Sequence, residues 1–335
     1  LEGSAAVAQG CANLLALTNH TGRANNGLIA VWSRGNDQGA AELGWRPAAN
    51  LAEAIRQAKV LYIVGADPAG DDPVLAEAIQ AAEFVVVQEL FLNETARLAD
   101  VVLPALPFTE CEGSYTSGER RVQRFYPAVL PRGEVRADYA ITGQISQIAG
   151  VAAETSSAGK VFNRLAAQSP AFNGLTFRRL AEVQEQWPII GRSDLYYGGT
   201  AYDNHQGLGV QLGLTGGAPV QSGPQVTPVA VPEGGLLAVP VTRLYDQGAM
   251  LAFSELLQPR LPQAYVAIHP GEAARLGLSG AAQVTVTLGE TAVTAALKLD
   301  ESLPSGVVLI PRSLGLPVQA PAAVELTGIA VQAAG

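Results

Sequence analysis

The chain has 335 residues, 48% of them apolar, and a formal net charge of −9. That length allows two domains with sizeable cores, and the apolar fraction excludes long disordered stretches. The acidic balance excludes a broad nucleic-acid surface, and no apolar run reaches the ~18 to 20 residues that a membrane-spanning helix needs.

The opening Leu1-Glu-Gly-Ser lacks the basic-then-apolar order of a secretory leader. The two cysteines, Cys11 and Cys111, belong to no C-x-x-C pair, so this chain alone assembles no iron–sulfur cluster or structural zinc site. Their spacing leaves a disulfide open; free thiols are the expectation.

Residues 4–19 read as a helix, with Ser4 as cap and an apolar stripe of Val7, Ala8, Cys11, Leu14 and Leu15, which makes Cys11 a core residue. A polar, glycine-rich stretch follows (Thr21 to Gly27 and Ser33 to Gly39), and then a helix over 50–58. A strand at 60–64, a helix at 73–82 and a strand at 84–88 make a β-α-β unit. A short helix at 94–98 leads to Val101–Leu103, read as a buried strand that Pro104 ends, and 105–118 reads as a loop at its carboxyl edge. In open α/β sheets ligands sit at that edge. A helix at 138–149 closes the α/β region.

Helical material is expected at 160–168 and 177–186, and an extended connector that wraps over a surface at 191–235. Alternation at 283–288 and 292–299 gives two strands joined at Gly289-Glu290, with a third at 306–311. Between the connector and these strands, Pro270 starts and Gly277 stops a short helix, with His269 as its cap. The expected organisation is 1–150 as an α/β region, 151–235 as helical segment and connector, and 236–335 as a β-rich domain.

Thr109-Glu-Cys-Glu-Gly-Ser-Tyr-Thr-Ser-Gly-Glu-Arg-Arg-Val-Gln-Arg-Phe125 resembles the "E-x-E-G-T-[FY]-T-N-x-E-R-R-V-Q" segment of the molybdopterin oxidoreductases. Two further stretches resemble that family in the same order: Val60 to Pro73 and Phe84 to Pro104. Gln38-Gly-Ala-Ala-Glu-Leu-Gly44 adds a weaker match, and Tyr265 to Leu278 is similar to the start of the family's carboxyl-terminal dinucleotide-binding domain. The resemblance implies an α/β fold, a Rossmann-like parallel-sheet domain followed by a double-psi β-barrel.

It also implies a pocket for molybdopterin guanine dinucleotide. Its residues here would be Gly65, Asp67, Pro68, Gln88, Glu94, Thr95, Glu112, Gly113, Ser114, Arg120 and Arg121. At position 67 the family has asparagine, which donates to phosphate; a carboxylate does not. Like charges 4 Å apart repel by about 1 kcal/mol in water and roughly 4 kcal/mol under protein-like screening. Asp67 therefore reads as a lost or altered ligand position, while at least one of Asp71 and Asp72 reads as a cap ahead of Pro73. In a strand, Arg120 and Arg124 share a face and Arg121 points the other way, so the three cannot serve one pocket. Cys111, between Glu110 and Glu112, is expected to be a reluctant thiolate.

The family's metal ligand lies on a preceding half, and His20, His205 and His269 fall in unrelated segments, so no catalytic or metal-binding residue is expected in this chain. Two readings follow. In the first, Asp67, Arg121-Val-Gln-Arg-Phe125 and the stretch from Trp187 to Gly199 point to the G subunit of bacterial NADH:quinone oxidoreductase (complex I). That reading implies a bracing role without a cofactor in this chain, iron–sulfur clusters on a preceding part, and other peripheral-arm subunits as partners. The expected place is the cytoplasmic face of the inner membrane, without insertion into it. In the second, Glu112-Gly113 and Glu119-Arg120-Arg121 fit the carboxyl-terminal half of a molybdenum or tungsten enzyme of formate dehydrogenase type. A free-standing nucleotide-binding protein is disfavoured, because neither G-x-G-x-x-G nor a P-loop occurs.

Overall fold

The structure, a computed structural model, describes residues 4–21, 27–182, 209–213, 220–223, 229–245, 248–289, 291–312, 315–316, 318 and 320–329. His205, the stretch from Trp187 to Gly199 and most of the expected connector lie outside these residues, as does the end of the helix expected at 177–186. The described part of that helix holds a single 3-10 turn, Arg179–Ala181.

Helices α1 (Ser4–Leu17), α2 (Asp37–Glu42) and α3 (Leu51–Gln57) come first. Asn50 caps α3 by accepting from the Glu53 N–H. Strand β1 (Val60–Val64), helices α4 (Pro68–Asp71) and α5 (Pro73–Gln80), strand β2 (Phe84–Glu89), helix α6 (Glu94–Arg97) and strand β3 (Val101–Pro104) follow. Their strands form a three-stranded sheet in the order β1-β2-β3, parallel throughout. β2, in the middle, buries Val85 and Val87, while α5 buries Ala78 and Ile79. β3 is an edge strand rather than the buried strand expected: Val101 and Val102 are both exposed, because β3 pairs on one side only. The α1 stripe also differs. Val7, Leu14 and Leu17 are exposed, and Cys11 with them, because no described element covers that face.

Part of the expected loop at 105–118 is a strand. β4 (Gly113–Thr116) pairs antiparallel with β5 (Arg121–Phe125), ahead of helices α7 (Asp138–Ile148) and α8 (Ala158–Gln168). β6 (Val210–Gln211), from the expected connector, adds to the other side of β5. Val122 of β5 then packs with Phe162 and Ala166 of α8, with Phe172, Phe177 and Leu180, and with Leu212 beside β6.

A closed six-stranded barrel makes up the remainder, in the order β10-β8-β11-β7-β12-β9. Its elements are β7 (Leu236–Val241), α9 (Ala249–Ala252), β8 (Tyr265–Ile268), α10 (Pro270–Arg275), β9 (Gln283–Leu288), β10 (Thr291–Leu299), β11 (Val307–Pro311) and β12 (Ala322–Gly328). β10 runs parallel to β8 and β11 parallel to β7; the other pairs are antiparallel. Its core is aliphatic, with Val266, Ile268, Val284, Val308 and Ile310 almost fully buried. His269 caps α10 by accepting from the Gly271 N–H at 2.9 Å.

The chain divides into two compact units, one of residues 7–66 and 78–223, the other of 1–6, 67–77 and 224–335. Two glycines separate tight packing from free space in the first unit. Gly209 has φ +85°, and a Cβ there would stand 2.3 Å from the Val122 carbonyl oxygen, whereas Gly10, inside α1, has nothing within 4 Å. Gly209→Ala should therefore cost at least about 2 kcal/mol. Gly10→Ala should add about 0.5–1 kcal/mol of helix propensity. Urea midpoints of the two variants that fail to separate in these directions would contradict the packing of β6 on β5.

Candidate functional site

The carboxyl edge of the parallel sheet is organised by Gln88, the fifth residue of β2, whose side chain is fully buried. Its amide oxygen accepts from the Tyr62 hydroxyl of β1, and its amide nitrogen donates to Asp138 Oδ1 at the start of α7. The Gln88 carbonyl also accepts from the Gly65 N–H at 3.0 Å, which shapes the turn after β1. Gly65 has φ +59° and nothing within 4 Å of a Cβ position, so its backbone is open to close approach. Burial, and then the Asp138 charge, raises the Tyr62 hydroxyl above its ordinary range. Cys111 is pushed up by the same two causes in the same order. The expected direction for that thiol holds, but its source is burial and Asp138 rather than the flanking glutamates.

Asp67 has a local role that the sequence reading did not assign. It is the cap of α4, with a side-chain oxygen accepting from the Gly70 N–H at 3.3 Å, and Pro68 occupies the first helical position. A carboxylate at position 67 thus has a local use as a helix cap, one that asparagine would serve equally well. Asp72 caps next, accepting from the Val74 N–H at 2.8 Å, as expected.

Glu112 anchors two elements: its Oε1 accepts from the Ala158 N–H at 3.0 Å and from the Tyr139 hydroxyl at 3.5 Å. Gly113 is closely packed: a Cβ there would lie 3.1 Å from the Phe125 ring, which would have to shift by a few tenths of an ångström. Ser114 sits half-buried opposite Arg124 in the β4–β5 ladder. Glu94 pairs with Arg97 at 3.5 Å on the surface, and Thr95 is buried in α6 behind the Asn93 cap.

The three arginines go to three protein partners. Arg120 is not in the strand; it occupies the preceding turn with φ +66°, a left-handed position uncommon outside glycine. Its guanidinium grips Glu42 through both carboxylate oxygens, at 2.6 and 3.2 Å, and donates to the Gly213 carbonyl. Arg121 is buried and donates to Glu119 at 3.0 Å. Arg124 donates to the Phe177 carbonyl and stacks against the Tyr126 and Phe177 rings.

Sequence reasoning missed Tyr62, Asp138, Glu42 and Asn36. Asn36 accepts from the Thr116 N–H at 2.9 Å, and Glu42 lies in the Gln38–Gly44 segment already singled out, so position in a matching motif was the available signal. As a test of fit for a dinucleotide, the result is uneven. The backbone at Gly65 suits close approach, whereas the Gln88 amide and the Glu112, Arg120 and Arg121 side chains are bonded to protein groups.

Residues 2–148 match the model of the family described as molybdopterin oxidoreductase. The F420-dependent formate dehydrogenase 1 subunit alpha of Methanococcus maripaludis is 26% identical over 90% of this chain and 50% of its own length. The second G subunit of the NADH-quinone oxidoreductase of Rhizobium meliloti is 29% identical over 76% of this chain and 27% of its own. Among solved structures, acetylene hydratase from Pelobacter acetylenicus shares the fold with a TM-score of 0.52 and 18% identity, covering 80% of this chain and 40% of that one. The chain spans about half the length of the formate dehydrogenase relative.

The Arg120–Glu42 pair gives a pH-dependent prediction. Hydrogen bonding from Arg120 chiefly holds the Glu42 carboxyl below its ordinary range. A depressed carboxyl contributes stability that is present above the unfolded value of roughly 4.3 and is lost as pH falls through the folded one. Glu42→Gln should cost about 1.5–3 kcal/mol at neutral pH. The gap from the parent should close as pH drops below about 4. Equal denaturation midpoints at neutral pH would show that the pair contributes nothing.

Proposed function

We propose that the chain is the carboxyl-terminal half of a molybdenum or tungsten pterin oxidoreductase of formate dehydrogenase type. The observation that carries this reading is the similarity to an F420-dependent formate dehydrogenase alpha subunit along nine-tenths of the chain. In this reading the metal's protein ligand belongs to the other half of the polypeptide. The barrel would be of the double-psi type and the sheet region Rossmann-like.

When bound, the pterin–metal group would supply two-electron redox chemistry. This chain's share would be the shape of the sheet crest: open backbone at Gly65, fixed by the Gln88 amide, with Tyr62 and Cys111 both kept protonated at neutral pH.

A second reading keeps a specific observation in its favour. The similarity to a G subunit of an NADH-quinone oxidoreductase, together with the engagement of Arg120, Arg121 and Arg124 by protein groups, supports a bracing segment without a metal centre. Its partners would be other subunits of the peripheral arm, on the cytoplasmic face of the membrane. No helix among the described residues is long and apolar enough to cross that membrane.

Elemental analysis separates the two. The full-length polypeptide, purified with whatever co-purifies, should contain molybdenum or tungsten in near-stoichiometric amount. Iron in the absence of both metals would overturn the formate dehydrogenase reading in favour of the second.

A further inference from the structure

After α8, a 3-10 turn over Pro170–Phe172 leads into a tight reverse turn whose central residues are Asn173 and Gly174. Asn173 has φ −56° and ψ 133°, Gly174 has φ +80°, and the Leu175 N–H donates to the Phe172 carbonyl at 3.0 Å. Those values define a type II turn, whose third position favours glycine. Phe172 and Leu175 are buried in the cluster around Val122, so the turn is anchored on both sides while Asn173 and Gly174 are exposed between the anchors.

This asparagine differs from its counterparts. Asn13, Asn36, Asn50, Asn93 and Asn163 each commit the side-chain oxygen to a backbone N–H, of Gln221, Thr116, Glu53, Ala96 and Phe177 respectively. Among the described residues, nothing bonds to the Asn173 side-chain amide or to the Gly174 N–H. Gly174 has nothing within 4 Å of a Cβ position, so its nitrogen is unhindered. The restraints on the turn are light: one backbone hydrogen bond closes it, and the exposed Arg179 donates to the Gly174 carbonyl at 3.2 Å. Bringing the Gly174 nitrogen onto the Asn173 side chain takes rotation about the Asn173 Cα–C bond, a local opening of one exposed turn.

We propose that Asn173 is a site of spontaneous covalent modification, deamidation through a cyclic imide with water as the co-reactant. The Gly174 nitrogen gives up its proton to solvent and attacks the Asn173 side-chain carbonyl carbon. The carbon–nitrogen bond of the side-chain amide breaks, and its nitrogen takes up a proton and leaves as ammonia. Water then opens the imide at either carbonyl, giving aspartate or isoaspartate. Water is consumed, ammonia is released and nothing is oxidised or reduced. The isoaspartate product routes the chain through the former side chain, which lengthens the backbone by a methylene between Phe172 and Leu175. Either product adds a negative charge to the surface. The site does not rest on which metal, if any, the full-length protein carries.

Timed incubation of the folded 335-residue chain at neutral and at mildly alkaline pH tests this, read by proteolysis and mass spectrometry with fragmentation that distinguishes isoaspartate. The peptide carrying Asn173 should convert progressively, and faster at the higher pH, because the attacking nitrogen must lose its proton. Isoaspartate should be among its products. The peptides carrying Asn36, Asn50, Asn93 and Asn163 should convert at least about tenfold more slowly, the factor set by breaking a side-chain hydrogen bond before attack. The peptide carrying Asn26, which also precedes a glycine, is scored separately. Circular dichroism establishes that the chain stays folded throughout. The proposal fails if Asn173 of the folded chain stays unmodified over a period in which the urea-unfolded chain converts there, or if conversion in the folded chain spreads equally over the hydrogen-bonded asparagines.

Discussion

The crest of the sheet depends on one buried amide. Gln88 sits fully buried in the central strand, where it has no water to bond, and leaving such a group without partners costs about 1–3 kcal/mol. Its two side-chain partners come from β1 and from the first residue of α7, so a single side chain fixes the relative placement of three elements. The chain of donation runs in one direction: Tyr62 gives its proton to the amide oxygen, and the amide gives one to the Asp138 carboxylate. The Asp138 charge near Cys111 discourages a second negative charge there. An amide committed in this way orders the edge of the sheet.

Much of this architecture was legible in residue patterns, and the failures have physical causes. β9 alternates between buried and less buried positions, so period two exposed it; β10, read from the same pattern, buries only Ala295. β8 is buried at all four positions and has no alternation to read, and β7 hides behind Pro240, a residue that ordinarily argues against a strand. β4 and β5 pair through a hydroxyl-rich stretch that looks like a loop, and β6 joins them from far along the chain, where local patterns carry no information. The helix at α1 was correctly placed, but an apolar stripe says only that a helix has a face to cover, not that a described element covers it.

The candidate site shows a different limit. Three arginines in five positions suggest a common anion, yet a left-handed turn at Arg120 sends its side chain to Glu42, while Arg121 and Arg124 fall on opposite sides of β5. Spacing along a strand could separate Arg121 from Arg124; it could not foresee that Arg120 precedes the strand. At Asp67 the family comparison drew attention to what was missing, and the simpler sign, an acid directly before Pro68 at a helix start, went unused.

The ring of six strands also constrains how this protein can be made. β12 lies between β7 and β9, the earliest and the third of the barrel strands to be synthesised, and nothing else joins them. Until residues 322–328 leave the ribosome, residues 236–238 of β7 and 284–287 of β9 lack the strand partner on that side. β7 gains its first strand partner only with β11, and the ring then closes through one short segment that comes later still.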